Sequence, residues 1–261
     1  MATITSLQNP RVKNAVKLRS SRQRRKQGRI LIEGRREIAR AVAAGVRLEE
    51  AFVCPELCAG DVAALLEGSG ASVLFVTEAV FARLAFGARA EGVLAVAATP
   101  QRTLADLVLA DAPLVAVLEG VEKPGNVGAV LRSADGAGVS AVIIADGGTD
   151  LYNPGAIRAS LGTIFSLPVA TATTAETIAW LQGRAFKIHA ARVDAVISHT
   201  QADLTGPVAI VLGSEAAGLS PAWSADFVTG IALPQRGAAD SLNVSAAAAV
   251  LFYEALRQRM T

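Results

Sequence analysis

Two polar residues stand at the start of the last helix that the sequence predicts. In "SLNVSAAAAVLFYEAL", residues 241–256, Ser241 and Asn243 precede a run in which nearly every position is apolar. One such residue suffices to cap a helix, because its side-chain oxygen accepts a hydrogen bond from a free backbone N–H. We expect this helix to be buried all round. The second polar residue therefore indicates a side chain that faces a ligand.

Three stretches share a pattern that predicts one ligand pocket. Each is an apolar strand followed by a turn that holds Gly and a few polar residues. They are "LEGVEKPGNVGAVLRSADGAGV" (118–139), "IVLGSEAAGLS" (210–220) and "IALPQRGAADSLNVSAAAAVLFYE" (231–254). Ligands of open α/β sheets bind beyond the carboxyl ends of the strands, where such loops lie. We therefore expect the three loops to meet at a single site.

Common nucleotide-binding and hydrolase motifs do not account for these loops. "GNVGAV" is not the G-x-G-x-x-G of dinucleotide-binding oxidoreductases, and "LGSEAAGLS" lacks the Gly-Lys-Ser/Thr of a P-loop. The sequence has no G-x-S-x-G elbow. The two histidines, His189 and His199, do not lie in loops rich in catalytic partners, which disfavours a histidine-based triad.

Apolar strands alternate with helices along the chain, which predicts an α/β fold with a mostly parallel sheet covered on both faces. The segment Thr99–Pro113 has a proline near each end and is the best candidate for a boundary. We predict a first domain at 1–100, a linker at 101–112 and a second domain at 113–261. We expect no membrane-spanning helix and no secretory signal, because no apolar stretch is long enough.

Positive charge is concentrated near the N-terminus. Residues 11–40 contain twelve Lys or Arg and two Glu, a net charge of +10, so the remaining residues sum to −8. This asymmetry favours a nucleic-acid partner over a merely solvated helix face. No aromatic residue precedes Phe52, so we expect contacts with phosphates rather than stacking on bases. The candidate RNA-binding residues are Arg19, Arg22, Arg24, Arg25, Lys26 and Arg29.

Cys54 and Cys58 are the only cysteines in the sequence. With two histidines far away along the chain, they do not form the ligand pattern of a structural zinc site, and no metal is expected. We interpret them as reduced thiols of a cytoplasmic protein.

Together, the three loops resemble the motifs of the SpoU (TrmH-type) RNA 2′-O-ribose methyltransferases, which belong to the trefoil-knotted methyltransferases. The first motif has an Asn and, six residues later, an Arg; the second has Gly-x-Glu before Gly-Leu; the third ends in Ser-Leu-Asn-Val-Ser. The resemblance covers residues 113–261. The first domain is similar to the substrate-binding domain that often precedes this catalytic domain, through the stretches "SLQNPRVKNAVKL" and "ILIEGRREIARAV". That substrate-binding domain resembles small RNA-binding ribosomal proteins.

The resemblance implies a trefoil-knotted domain, a homodimer whose active site uses both subunits, and S-adenosylmethionine as the methyl donor. It implies methylation of a ribose 2′-hydroxyl in a structured RNA, ribosomal RNA more than transfer RNA. The implied catalytic residues are Asn126, Arg132, Glu215, Ser241 and Asn243. The implied cofactor-binding residues are Gly213, Gly218, Leu233 and Leu242.

The resemblance leaves the role of Arg132 open. The family mechanism is usually written with this Arg as general base, yet a free guanidinium loses its proton only above pH ~12. Either the site forces Arg132 to be neutral, or Arg132 orients a phosphate while another group or water takes the proton. Glu215 either pairs with Arg132 or orients Asn126.

The sequence also allows simpler interpretations of single residues. Asn126 could merely cap the helix that follows it, and Gly213 could serve only a turn. For the whole chain, the alternatives are methylation of an RNA base and a non-catalytic RNA-binding dimeric scaffold.

Overall fold

The computed structural model describes residues 3–86 and 91–260. In chain order, the elements of the first hundred residues are α1 (Pro10–Lys17), α2 (Ser21–Gln27), β1 (Arg29–Glu33), α3 (Arg35–Ala43), β2 (Leu48–Val53), α4 (Val62–Leu66), β3 (Ser72–Phe75), α5 (Glu78–Leu84) and β4 (Val93–Ala98). They are followed by β5 (Leu114–Glu119), α6 (Pro124–Gly136), β6 (Ala141–Ala145), α7 (Pro154–Ala159), α8 (Thr163–Ser166), β7 (Val169–Ala172), α9 (Thr174–Gln182), β8 (Lys187–Ala191), β9 (Ile197–Ser198), β10 (Val208–Leu212), β11 (Val228–Ala232) and α10 (Val244–Arg259).

The chain folds into two compact units. The first contains Met1–Pro100 and Asp150–Ser166, and the second contains Gln101–Thr149 and Leu167–Thr261. Among residues 3–86 and 91–260, no helix has both the length and the apolar character needed to cross a bilayer.

The first unit is built on a mixed sheet of four strands in the order β1-β4-β2-β3. Strand β4 is antiparallel to both β1 and β2, whereas β2 and β3 are parallel. Apolar side chains of α1 and α5 pack with those of the sheet, and Val12, Phe52, Phe81 and Leu94 are fully buried in this core.

The segment Asp150–Ser166 belongs to this first unit because α7 packs on β1 and α8 packs on α3. Arg40 Nη1 donates a hydrogen bond to the carbonyl of Leu161 at 2.8 Å. The boundaries expected from the sequence are contiguous and leave this segment in the second domain. Composition does not reveal such a return of the chain, because it depends on packing between distant residues.

The second unit contains seven strands in the order β7-β6-β5-β10-β8-β11-β9, and every pairing is parallel. All residues of β5, β6 and β10 are buried, as expected for strands covered on both faces. The predicted parallel α/β sheet is therefore confirmed. Because the strands are parallel, the loops after β5, β10 and β11 leave the same edge of the sheet.

The last helix, α10, is buried on one face only within the single chain. It packs along α6 and buries Val244, Ala248, Leu251, Phe252 and Ala255. Ala246, Val250 and Tyr253 are exposed, with Val250 at 42% and Tyr253 at 51%. These three positions repeat every three or four residues, so they form one exposed, largely apolar stripe along the helix.

Candidate functional site

The first loop leads into α6, and Asn126 lies in the first turn of this helix. This helix begins at Pro124, whose fixed φ suits the first turn, and the capping position is Lys123. Asn126 lies inside the first turn, so it does not cap the helix as the simpler reading proposed. Its side chain is half-buried and is free to contact another loop.

The second loop is a tight turn that begins at Gly213, directly after β10. Ser214 and Gly218 exchange two backbone hydrogen bonds of 3.1 and 3.0 Å across the turn. A Cβ at position 213 would lie 2.4 Å from the carbonyl carbon and oxygen of Gly218. Glycine at 213 therefore allows two backbone segments to touch, and the turn presents Glu215 at its exposed tip.

The third loop ends at Asn243, which performs two tasks with one side chain. Its Oδ1 accepts hydrogen bonds from the backbone N–H of Ser245 at 3.0 Å and from Ser245 Oγ at 2.6 Å, so it caps α10. Its Nδ2 donates to Glu215 Oε1 and, at 3.4 Å, to Asn126 Oδ1. The side chain that caps the helix thus also links the three loops.

Asn126, Glu215 and Asn243 form a cluster with one residue from each loop, which we call the three-loop cluster. Lys123 Nζ lies 3.0 Å from Glu215 Oε2, and this interaction holds the pKa of Glu215 below its ordinary value. The Nδ2 atom of Asn126 is buried and has no hydrogen bond of normal geometry within the described chain. The Asn126 amide helps to lower the pKa of Glu215, but a buried amide without a hydrogen bond of normal geometry is costly, so this atom is suited to a ligand.

A pocket of about 540 Å³ lies beside the cluster and shares Glu215 with it. This volume suits a small-molecule ligand. Six of the predicted site residues line it: Gly213, Glu215, Gly218, Leu233, Ser241 and Leu242. Leu242 is 41% exposed, so its apolar side chain is available to a ligand.

The residues that follow β8 form a part of the pocket wall that the sequence motifs did not indicate. Arg192 pairs with Asp194 through two hydrogen bonds of 2.9 and 2.8 Å, and its Nη1 donates to Ser224 Oγ at 2.6 Å. All three residues line the pocket. Strand β8 lies between β10 and β11, so its position after a parallel strand was a usable signal, but "AARVD" lacks the glycine pattern of the other loops.

Arg132 does not join the three-loop cluster in the single chain. Six residues separate it from Asn126 on α6, which displaces its Cα by about 9 Å along the helix and about 120° around it. Its side chain is exposed, and within the described ranges it makes neither a hydrogen bond nor an ion pair. Ser241 lines the pocket without contacting the cluster.

The family model described as the SpoU rRNA Methylase family matches residues 113–253, more than half of the chain. The chain belongs to the SpoU rRNA methylase family. A second model, the MRM3-like substrate binding domain, matches residues 9–95 of this SpoU protein. The family resemblance of both halves of the sequence is therefore confirmed.

Curated relatives of this SpoU protein act on ribosomal RNA. It is 28% identical to the Bacillus subtilis (strain 168) 23S rRNA (guanosine(2553)-2′-O)-methyltransferase RlmP, over 97% of this chain and 98% of that protein. It is 36% identical to the 23S rRNA (uridine(2479)-2′-O)-methyltransferase of Streptomyces viridochromogenes, over 53% of this chain. That second match spans half of the relative's length.

Solved structures show the same fold over nearly the whole chain. An RNA 2′-O ribose methyltransferase matches with a TM-score of 0.88 and 42% identity, covering all of both chains. The AdoMet-bound rRNA methyltransferase from Sinorhizobium meliloti matches with a TM-score of 0.89 and 28% identity, covering 98% of this chain and 97% of that one.

The substrate-binding domain of this SpoU protein uses three of its six candidate RNA-binding residues for internal contacts. Arg24 is only 2% exposed; it pairs with Asp150 at 2.6 Å and donates to the carbonyls of Leu18 and Arg19. Arg19 donates to the Arg83 and Ala85 carbonyls, and Arg29 pairs with Glu49.

The other three candidates, Arg22, Arg25 and Lys26, are exposed and form no ion pair with any described residue. Because a phosphate contact needs an accessible cation, these three side chains are better placed for it than the buried Arg24.

Proposed function

We propose that this chain transfers a methyl group from S-adenosylmethionine to a ribose 2′-hydroxyl of 23S ribosomal RNA. The observation that carries the proposal is the three-loop cluster, in which Asn126, Glu215 and Asn243 meet at the edge of a pocket suited to a small molecule. The names of the relatives support the substrate, since they describe 2′-O methylation of 23S rRNA. The AdoMet-bound neighbour supports the cofactor.

The pocket fits S-adenosylmethionine in size and in chemistry. Leu233 and Leu242 offer apolar surface to an adenine ring, and Leu242 is exposed enough to cover one. A Cβ at Gly218 would meet no atom within 4 Å, so the backbone of the second loop is open to close approach by a ligand. When bound, the cofactor supplies a methyl group attached to a sulfonium. Transfer of the methyl releases a neutral thioether, which is a good leaving group.

The residues of the chain must then position the ribose hydroxyl. Alignment of two reactants can lower a barrier by about 7–11 kcal/mol in favourable cases. The buried Nδ2 of Asn126 forms no hydrogen bond of normal geometry in the described structure, although the Asn126 amide helps to lower the pKa of Glu215, and we assign this atom to a ribose oxygen. Glu215 remains an acceptor because Lys123 favours its ionised form, and it fixes the amide of Asn243. Glu215 therefore orients the asparagines rather than pairing with Arg132 of the same chain.

In this proposal, Arg132 acts at the pocket of a second subunit. It is exposed on α6, away from the cluster of its own chain, and α6 packs beside the exposed apolar stripe of Ala246, Val250 and Tyr253 on α10. An exposed apolar stripe is stabilised when a partner covers it. We assign this face to a homodimer in which Arg132 of one protomer acts at the pocket of the other. Ser241, at the pocket wall, belongs to the same site.

In this dimer, Arg132 orients an RNA phosphate and leaves the proton to another group or to water. Loss of a guanidinium proton requires a pH above ~12, whereas bidentate binding of phosphate is the usual role of arginine. The trefoil knot, the cytoplasmic location and RNA contact by Arg22, Arg25 and Lys26 belong to the same proposal.

The proposal is tested with purified protein, labelled S-adenosylmethionine, and 23S ribosomal RNA or transfer RNA in separate reactions. A ribose 2′-O-methyl group blocks alkaline cleavage at its own position, so we expect one alkali-resistant linkage in 23S ribosomal RNA. Arg132→Ala removes it. Resistance in transfer RNA instead would change the substrate, and label without resistance would indicate base methylation. Absence of cofactor binding would favour the scaffold.

A further inference from the structure

A buried carboxylate, Glu119, lies at the end of β5 and has no part in the chemistry above. It is 6% exposed and accepts three hydrogen bonds of 2.7 Å. Thr174 Oγ1 and Ser220 Oγ donate to Oε1, and the backbone N–H of Ser220 donates to Oε2. No Lys or Arg of the described ranges forms an ion pair with it.

These hydrogen bonds join the sheet to the second loop of the pocket. Ser220 directly follows a loop of which Gly213, Ser214, Glu215, Ala217, Gly218 and Leu219 line the pocket. The loop begins at the end of β10, which is held between β5 and β8. Its other end is held by two of the three hydrogen bonds to Glu119.

Burial of a carboxylate to hold this loop costs free energy, which is justified only where strong hydrogen bonds to the loop are needed. Burial of a charge is unfavourable without compensation, but hydrogen bonds to an ionised acceptor are about twice as strong as neutral ones. Burial alone raises the pKa of Glu119, but the hydrogen bonds from Ser220 and Thr174, with a smaller contribution from Trp223, outweigh it and hold the pKa below its ordinary value. Glu119 is thus an ionised anchor for Ser220.

We propose that Glu119 is a positioning residue for S-adenosylmethionine, which holds the Gly213–Leu219 loop in the conformation that lines the pocket. This inference rests on the proposed function. It assigns Glu119 no contact with the cofactor or the RNA. It requires that cofactor affinity depend on the bonds to Ser220 and not on the bond to Thr174, which lies at the start of α9.

Two variants separate this role from general stability. Ser220→Ala and Thr174→Val each remove one hydroxyl donor from the same oxygen, Oε1 of Glu119. We expect Ser220→Ala to weaken S-adenosylmethionine binding about tenfold by titration calorimetry. It should also speed hydrogen exchange of residues 213–220 in the cofactor-free protein. Thr174→Val should lower the melting temperature but leave cofactor affinity and loop exchange as in the wild type.

Glu119→Gln provides the kinetic readout. It should raise KM for S-adenosylmethionine while KM for the RNA stays unchanged. Equal losses of cofactor affinity in Ser220→Ala and Thr174→Val, or unchanged affinity in Ser220→Ala and Glu119→Gln, would overturn the inference. Wild-type protein that binds no S-adenosylmethionine would refute the proposed function itself, and this inference with it.

Discussion

Asn243 donates a hydrogen bond to Glu215, so the cap of the last helix is joined to the tip of the loop after β10. The same asparagine accepts from Ser245 to start α10 and donates to Asn126 at the start of α6. A residue that sequence rules assign to helix capping therefore also assembles the candidate site. Capping and assembly use different atoms of its amide, so they are separable by substitution.

The variant Asn243→Ser separates the two tasks. Serine caps helices about as well as asparagine, so the melting temperature should stay close to that of the wild type. The serine hydroxyl is too short to replace the amide donor to Glu215 and Asn126, and we expect methyl transfer to fall about 100-fold. Asn243→Ala is the control, because it should lose the same activity and also about 1 kcal/mol of stability. Wild-type activity in Asn243→Ser would contradict the assignment.

Removal of Lys123 should change the pH dependence of activity. Lys123 holds the pKa of Glu215 below its ordinary value, so Lys123→Met should let that pKa rise. The acidic limb of the kcat/KM profile then moves to higher pH, and the loss of activity is greater at acidic than at neutral pH. Lys123→Arg keeps the charge and should keep the wild-type profile. Stability should stay close to that of the wild type, since the Lys123 side chain is 74% exposed.

Two inactive variants should restore activity in a mixed dimer if Arg132 acts at the site of the other subunit. Neither Arg132→Ala nor Asn243→Ser homodimers have an intact site. Random mixing after co-refolding gives half mixed dimers with one intact site each, so activity should recover to about one quarter of the wild-type value. No recovery in mixed dimers, verified by two affinity tags, would place Arg132 in the site of its own chain.

Neighbouring basic residues of α2 should behave in opposite ways. Replacement of Arg22, Arg25 and Lys26 by Gln should weaken RNA binding and reduce the slope of log K against log salt by roughly 2 to 3, while stability is retained. Arg24→Gln should instead cost about 3 kcal/mol of stability, because it leaves Asp150 and the carbonyls of Leu18 and Arg19 without the donor that they share. An unchanged salt slope in the triple variant would remove α2 from the RNA interface.

Acid should weaken the last helix through Glu254. Its hydrogen bonds with Arg257 and Gln258 lower its pKa to about 2 from an ordinary value of 4.5. A depressed pKa contributes stability that is present above 4.5 and is lost as pH falls towards 2. Urea midpoints measured from pH 6 to 2 should therefore fall less steeply for Glu254→Gln than for the wild type. Parallel curves for the two proteins would contradict this assignment.

The pocket could be predicted from the sequence because ligands of open α/β sheets bind beyond the carboxyl ends of the strands. Glycine and polar residues after parallel strands indicate loops at that edge. Gly213, Leu233 and Leu242 line the pocket for that reason. Arg192 and Asp194 were missed because their loop has no glycine signature, although it follows a strand between two others of the site.

Long-range packing explains what the sequence could not predict. The burial of Arg24 depends on its pairing with Asp150, which lies 126 residues away along the chain. The pattern of charges in the sequence does not predict this pairing. The exposed stripe of α10 depends on which face α6 covers, which composition alone does not determine.

The location of the transferred methyl group tests ribose methylation most directly. The protein is incubated with S-adenosylmethionine and 23S ribosomal RNA, the RNA is digested to nucleosides, and the fragments are weighed by mass spectrometry. We predict that the added methyl stays with the ribose fragment, and that Asn243→Ser gives about 100-fold less of it. A methyl group on the base fragment, or none with any RNA despite cofactor binding, would contradict ribose methylation.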